Sequence, residues 1–169
     1  MQAKVILSAV LGASAFGLAG CAAAGPIGNV DGSRVCLPSK EGTDVFFGSS
    51  LENTGTKDLE ILAVSLEDST NTATVEFGVD PARSTVGAGY FPDETNALPE
   101  SLASIESRVD PADVVIEPGQ TAGLLIKVVP DDATTNATVS EVKIKYQVGR
   151  TTHVATDKTV FVVSAAPCF

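Results

Sequence analysis

Between Val139 and Val148, polar and apolar residues take turns along the chain. Val139, Glu141, Lys143, Lys145 and Gln147 fall on one side, and Val142, Ile144, Tyr146 and Val148 on the other. A period of two belongs to a strand with one buried face, and a helix cannot separate the two sets. The same pressure recurs from Thr43 onward. Val45–Leu51 is one apolar, β-branched segment, and Leu59–Leu66 is another, whose apolar face switches near Leu62. Such a switch predicts a bulge or a strand covered on both faces. Ala73–Val79 alternates and should bury Ala73, Val75, Phe77 and Val79. Val114–Ile116, Leu124–Val129 and Thr159–Val163 complete the set, with His153-Val154 opening the last strand or forming its own.

Turn residues separate these runs. Asn53–Thr56, Asp80-Pro81, the polar stretch Pro130–Asn136 and Gly149-Arg150 are turns, and Glu117-Pro118-Gly119-Gln120 has the order of a type II turn. Helical spacing occurs only within Asp93–Arg108, where Leu98, Leu102 and Ile105 stand at i, i+4 and i+7, and Pro99 suits a first turn. Strand–helix–strand spacing is missing. Seven or eight strands are expected, giving an all-β antiparallel sandwich over residues 34–169 with a short helix in one loop.

Charge removes some classes of partner. Eleven Lys and Arg face 21 Asp and Glu, a net of −10. Such a chain repels phosphate backbones, so no nucleic-acid partner is expected. There is one His, one Met and no Trp. That excludes a His-rich metal site, a Met-rich copper site and any catalytic scheme with two histidines.

Ahead of the strands lies a different kind of segment. Lys4 is the only charge before Asp31, and an Ala-, Gly- and Ser-rich apolar run leads from Val5 to Cys21. A basic start, an apolar stretch and small residues describe an export signal. The run is shorter than the roughly 20 residues that span a bilayer. Leu18-Ala19-Gly20-Cys21 resembles the lipobox of bacterial lipoproteins. The resemblance implies a signal peptide over residues 1–20, a diacylglycerol on the Cys21 sulfur and cleavage before that residue. An ordinary signal cut near Ala24, or an uncleaved anchor, are the alternatives. Residues 21–33, small and without periodicity, read as a flexible tether. The partner would then be the bacterial cell membrane, or an outer membrane where there is one, held through lipid alone because the acidic body is repelled by anionic head groups.

With Cys21 lipidated, Cys36 and Cys168 remain as a pair in an oxidising compartment. A disulfide between them would close nearly the whole domain into a ring. A redox or metal thiol pair lacks Cys-x-x-Cys spacing and a neighbouring His. Two free thiols are the other alternative.

The strand order resembles bacterial immunoglobulin-like modules of cell-surface and ciliary-type repeat proteins. Asn53-Thr54-Gly55, Leu59-Glu60-Ile61 and Pro118-Gly119-Gln120-Thr121 carry that likeness, which covers about Asp44 to Val163. It implies an immunoglobulin-like sandwich and carries no function.

Catalytic patterns are weak. His153 is the sole histidine base and Asp157 follows four residues later, but no Gly-x-Ser-x-Gly elbow accompanies them, and an exposed strand position is the simpler reading. Gly87-Ala88-Gly89 precedes Tyr-Phe-Pro and reads as a flexible loop rather than a phosphate cradle. Asp131-Asp132 and Asp93-Glu94 lack calcium-loop spacing. Asn136-Ala137-Thr138 fits a glycosylation sequon, which means little in a bacterium. No catalytic residue, cofactor or metal is expected.

The expectation is therefore a membrane-anchored lipoprotein whose sandwich serves a non-catalytic interaction or structural role at the envelope, with a small-ligand or ion-binding lipoprotein as the alternative. The expected contact surface is Gly87–Arg108, a long irregular loop dispensable for folding, whose Tyr90 and Phe91 would meet an envelope protein or glycan. The competing reading is that both aromatics cover the sandwich end.

Overall fold

The computed structural model describes residues 25–28, 30, 32–84, 87–92 and 99–168, with the side chains of 99–102 excepted. The expected signal peptide over 1–20, Cys21, Asp93, Glu94 and Leu98 lie outside the described residues. The elements in order are β1 (Arg34–Pro38), β2 (Asp44–Glu52), β3 (Leu59–Thr70), β4 (Thr72–Asp80), β5 (Gly87–Phe91), α1 (Pro99–Ser107), a 3-10 turn (Pro111–Asp113), β6 (Val115–Ile116), β7 (Thr121–Pro130), β8 (Ala137–Val148), β9 (Thr151–Asp157) and β10 (Val160–Ser164).

They form an immunoglobulin-like sandwich of two sheets. One sheet runs β1-β10-β8-β3-β6, with β9 also on β8; the other runs β4-β7-β2-β5. Ten strands are described where seven or eight were expected. The additions are β1 and β5, each five residues long. Both have little alternation of their own and become strands because a neighbour supplies the ladder, β10 for β1 and β2 for β5. All the strand pairings are antiparallel except β1 with β10, which is parallel.

The inner faces supply the core. Phe47 of β2 meets Phe161 of β10 across the two sheets, ring centroids 5.2 Å apart. Leu59, Ile61, Leu124, Ile126, Ile144 and Tyr146 are buried beside them. The near-continuous apolar run of β7 has a second cause. Leu124 and Ile126 face the core, while Leu125 packs with Phe46 and Ile105 on the other side of the sheet, where α1 covers it.

Two patterning details have local causes. The face switch in β3 is a bulge: register slips between Ile61 and Ala63, and Leu62 is left 38 % exposed. In β4, Val79 is buried and Val75 and Phe77 pack against the core, but Ala73 is exposed. The register shift between Thr72 and Thr74 takes it out of phase. The Glu117–Gln120 turn forms as its residues dictate, with the Gln120 N–H on the Glu117 carbonyl at 3.0 Å and Gly119 at φ +75°.

Candidate functional site

The segment expected to be a tether packs against the domain from Gly25 onward. Ile27 is buried in the core. Its N–H donates to the Tyr146 hydroxyl, which donates in turn to the Ile27 carbonyl, both at 3.3 Å. Burial pushes the Tyr146 phenol above its ordinary pKa, and the Ile27 backbone bond offsets part of that rise. The Pro26 carbonyl accepts from the Thr54 hydroxyl at 2.6 Å and from its N–H at 3.3 Å. Farther along, Val30 N–H donates to the Thr156 carbonyl and Lys158 N–H to the Val30 carbonyl, each at 3.2 Å. The chain thus climbs beside β9 before joining β10 as β1.

Two glycines of this segment, Gly25 and Gly32, therefore mark close approach, while Gly28 faces open space. A Cβ on Gly25 would overlap the Tyr146 phenol oxygen, and one on Gly32 would stand 2.5 Å from the Lys158 carbonyl. The expected tether over 21–33 is corrected from Gly25 onward, and residues 21–24 lie outside the described residues. Composition could not separate a glycine that frees the chain from one that lets two segments touch.

Gly25 and Pro26 sit at one end of the sandwich, with the turns 53–58, 117–120 and 149–150. Leu59 pairs with both Val148 and Ile116, and Glu52 with Thr121, which places the three turns together. Asn53, fully buried, ties the first two. Its side-chain amide donates to the Ile116 carbonyl at 2.8 Å and the Lys57 carbonyl at 2.9 Å, and its Oδ1 accepts from Gly55 N–H at 3.0 Å. The sequence marks Asn53 as a turn residue; its part as the bolt between two turns depends on contacts 63 residues apart.

Cys36 and Cys168 form a disulfide with Cα atoms 6.0 Å apart, a sequence separation of 132. Tyr90 and Phe91 do not lie on a loop. They end β5, paired with Val45 and Asp44. The Tyr90 hydroxyl donates to the Pro38 carbonyl at 2.7 Å, and the Lys40 ammonium stands 5.6 Å from its ring centre. Phe91 meets Phe46 edge-on at 6.3 Å. Gly87-Ala88-Gly89, expected to be flexible, is ladder backbone on β2.

The rest of the expected contact loop is also engaged. Ile105 is 2 % exposed, and Arg108 lies over the Phe46 ring at 5.2 Å. Asp80, fully buried, takes the Arg83 guanidinium at 3.2 Å and Ala82 N–H at 3.0 Å. Burial pushes its carboxyl up, but hydrogen bonds from Ser104, Ala82, Arg83 and Ser107 more than offset that and hold it below the usual carboxylate range. Gly87–Arg108 is thus corrected from a dispensable loop to an edge strand of one sheet and a helix packed on that sheet's face. Residues 93–98 of it lie outside the described residues.

His153 stacks on the Tyr146 ring, 5.4 Å between centroids and 20° between planes. Asp157 is buried, its Oδ1 accepting from Thr159 N–H at 2.8 Å. Each is engaged with a partner other than a nucleophile. Asp132 takes the Thr134 N–H at 2.8 Å and hydroxyl at 2.7 Å, and these bonds lower its pKa, the backbone one foremost. The Asn136 Oδ1 accepts from Ala165 N–H and the Ser164 hydroxyl. Among the described residues, no group of three His, Cys, Asp or Glu is placed to hold a metal.

Among the described residues, one side of the sandwich carries little strand pairing. Among the described residues, only Leu59 and Glu60 of β3 carry a partner strand on the side away from β8. β4 carries β7 on one side and a single bridge, Val79 to Val109, on the other. Between them lies a cleft of about 310 Å³ lined by Leu62, Ala63, Val64, Phe77 and Asp110–Ala112.

No family model matches the chain. No curated protein matches it. Among solved structures, it is similar to the ASH / PapD-like domain of human CEP192 (PapD-like domain 7), with a TM-score of 0.43 and 11 % identity over 98 % of this chain and 100 % of that one.

Proposed function

We propose that the chain is an exported bacterial lipoprotein, held on a membrane by diacylglycerol on Cys21, whose sandwich is a non-catalytic interaction or structural module of the envelope. The observation that carries this reading is Leu18-Ala19-Gly20-Cys21 at lipobox distance from Lys4. The Cys36–Cys168 bond fits an oxidising compartment outside the cytoplasm. A partner would engage the open β3–β4 side, where ladder groups of both edges are available for an added strand.

The test is mass analysis of the amino-terminal peptide from protein purified from its native host. A thioether-linked lipid on Cys21 is the expected result, and Cys21→Ser should move the protein from the detergent phase to the aqueous phase. A retained leader or an unmodified first residue overturns the anchoring. Crosslinking in intact cells then reads the partner, with contacts expected at Leu62 and Ser65 on β3.

A further inference from the structure

If Cys21 is the anchored residue, the length of free chain becomes decisive. Three residues, Ala22–Ala24, separate it from Gly25, which is already packed against Tyr146 and His153. Four peptide steps span at most about 14 Å. The sandwich is far longer than that: β3 alone has 12 residues, about 40 Å at strand rise. Gly25 and Pro26 sit at the end formed by the three turns, and the acidic turn at Asp131-Asp132 sits at the other, beyond the Thr72–Pro130 and Thr70–Thr138 pairs. The far end therefore cannot reach the bilayer unless the domain lies on its side.

Charge decides between lying and standing. The turn end holds Glu52, Asp58, Glu60 and Glu117 against Lys57 and Arg150, a net of −2. The larger excess of negative charge lies toward the far end, where Asp68, Asp131, Asp132 and Glu141 repel anionic head groups, while Glu67 and Glu76 are ion-paired with Lys143 and Lys127.

We propose that this domain stands end-on upon the membrane, its turn end seated at the lipid head groups and its β3–β4 side and disulfide end held outward. The proposal rests on the lipoprotein reading and adds the surface that meets the membrane.

All the contacts described lie between Gly25 and Cys168, so the chain from Cys21 to Phe169 keeps them. Its Cys36 and Cys168 are bonded, which leaves Cys21 as the one free thiol. It can be coupled to a maleimide lipid in phosphatidylcholine–phosphatidylglycerol vesicles. The chain has no Trp, so Thr56→Trp, Arg150→Trp and Ala133→Trp each give a single reporter at an exposed position. Lipid bearing a nitroxide on its head group should quench Thr56→Trp and Arg150→Trp severalfold more than Ala133→Trp. A Gly-Ser insertion ahead of Gly25 should erase the difference. Equal quenching at both ends, or stronger quenching of Ala133→Trp, overturns the proposal. Because the lipid is attached chemically, neither result depends on acylation by the native host, which the mass analysis reads separately.

Discussion

Gly25 lies against the phenol of Tyr146 so closely that a Cβ there would overlap the hydroxyl oxygen. That hydroxyl also brackets the N–H and carbonyl of Ile27. Gly25→Val should therefore push the amino-terminal segment off the domain. Overpacking of this kind costs about 1–3 kcal/mol. The check is amide exchange, which should speed up at Ile27 and Val30 while β7 amides keep their protection.

The Cys36–Cys168 bond closes a separation of 132 residues. In the chain-entropy account a loop of that length is worth about 5 kcal/mol, and measured losses run nearer 2–5 kcal/mol. Cys36→Ser should lower the urea midpoint accordingly, and Cys168→Ser should match it. The double variant should lose no more than either single one.

Asn53 satisfies two carbonyls and one N–H from inside the protein. Asn53→Ala strips these bonds and leaves buried polar groups without partners, costing about 2–4 kcal/mol. Thermal unfolding measures it. Asn53→Asp should be worse, because it replaces a buried donor with a buried charge.

Asp80 is held below the usual carboxylate range, against the push of burial, by its hydrogen bonds. A carboxyl whose folded pKa lies under its unfolded one adds stability above the ordinary value, about pH 4, and loses it as pH falls through the folded value. Asp80→Asn should be less stable than the parent at neutral pH. The gap should narrow on acidification, which urea titrations across pH 7 to 3 read directly.

Glu141 sits in the left-handed region, φ +53°, within β8. That costs a non-glycine residue about 1 kcal/mol or more, which offsets the 0.5–1 kcal/mol a strand glycine usually loses. Glu141→Gly should thus leave the melting temperature near the parent's or raise it. Lys145→Gly, at an ordinary exposed position of the same strand, should lower it.

The period-two segments were legible because their information is local. Val142, Ile144 and Tyr146 alternate with charges whatever else the chain does, and they are buried as that alternation requires. The face switch at Leu62 was legible for the same reason, and the register against β8 decided that it is a bulge rather than a strand covered on both faces. Pro118-Gly119 fixed a turn through its own backbone preferences. β1 and β5 were not legible, since each becomes a strand by borrowing a ladder from β10 or β2.

The sequence alone determined an acidic, strand-built body with its turns in place and two cysteines available to bridge its ends. Only the tertiary structure decided that Gly25–Ile27 packs on the domain, that Tyr90 and Phe91 end an edge strand, and that Asn53 joins two turns. Burial and close approach are properties of two segments at once. A glycine beside a distant tyrosine reads the same, in one dimension, as a glycine in open solvent.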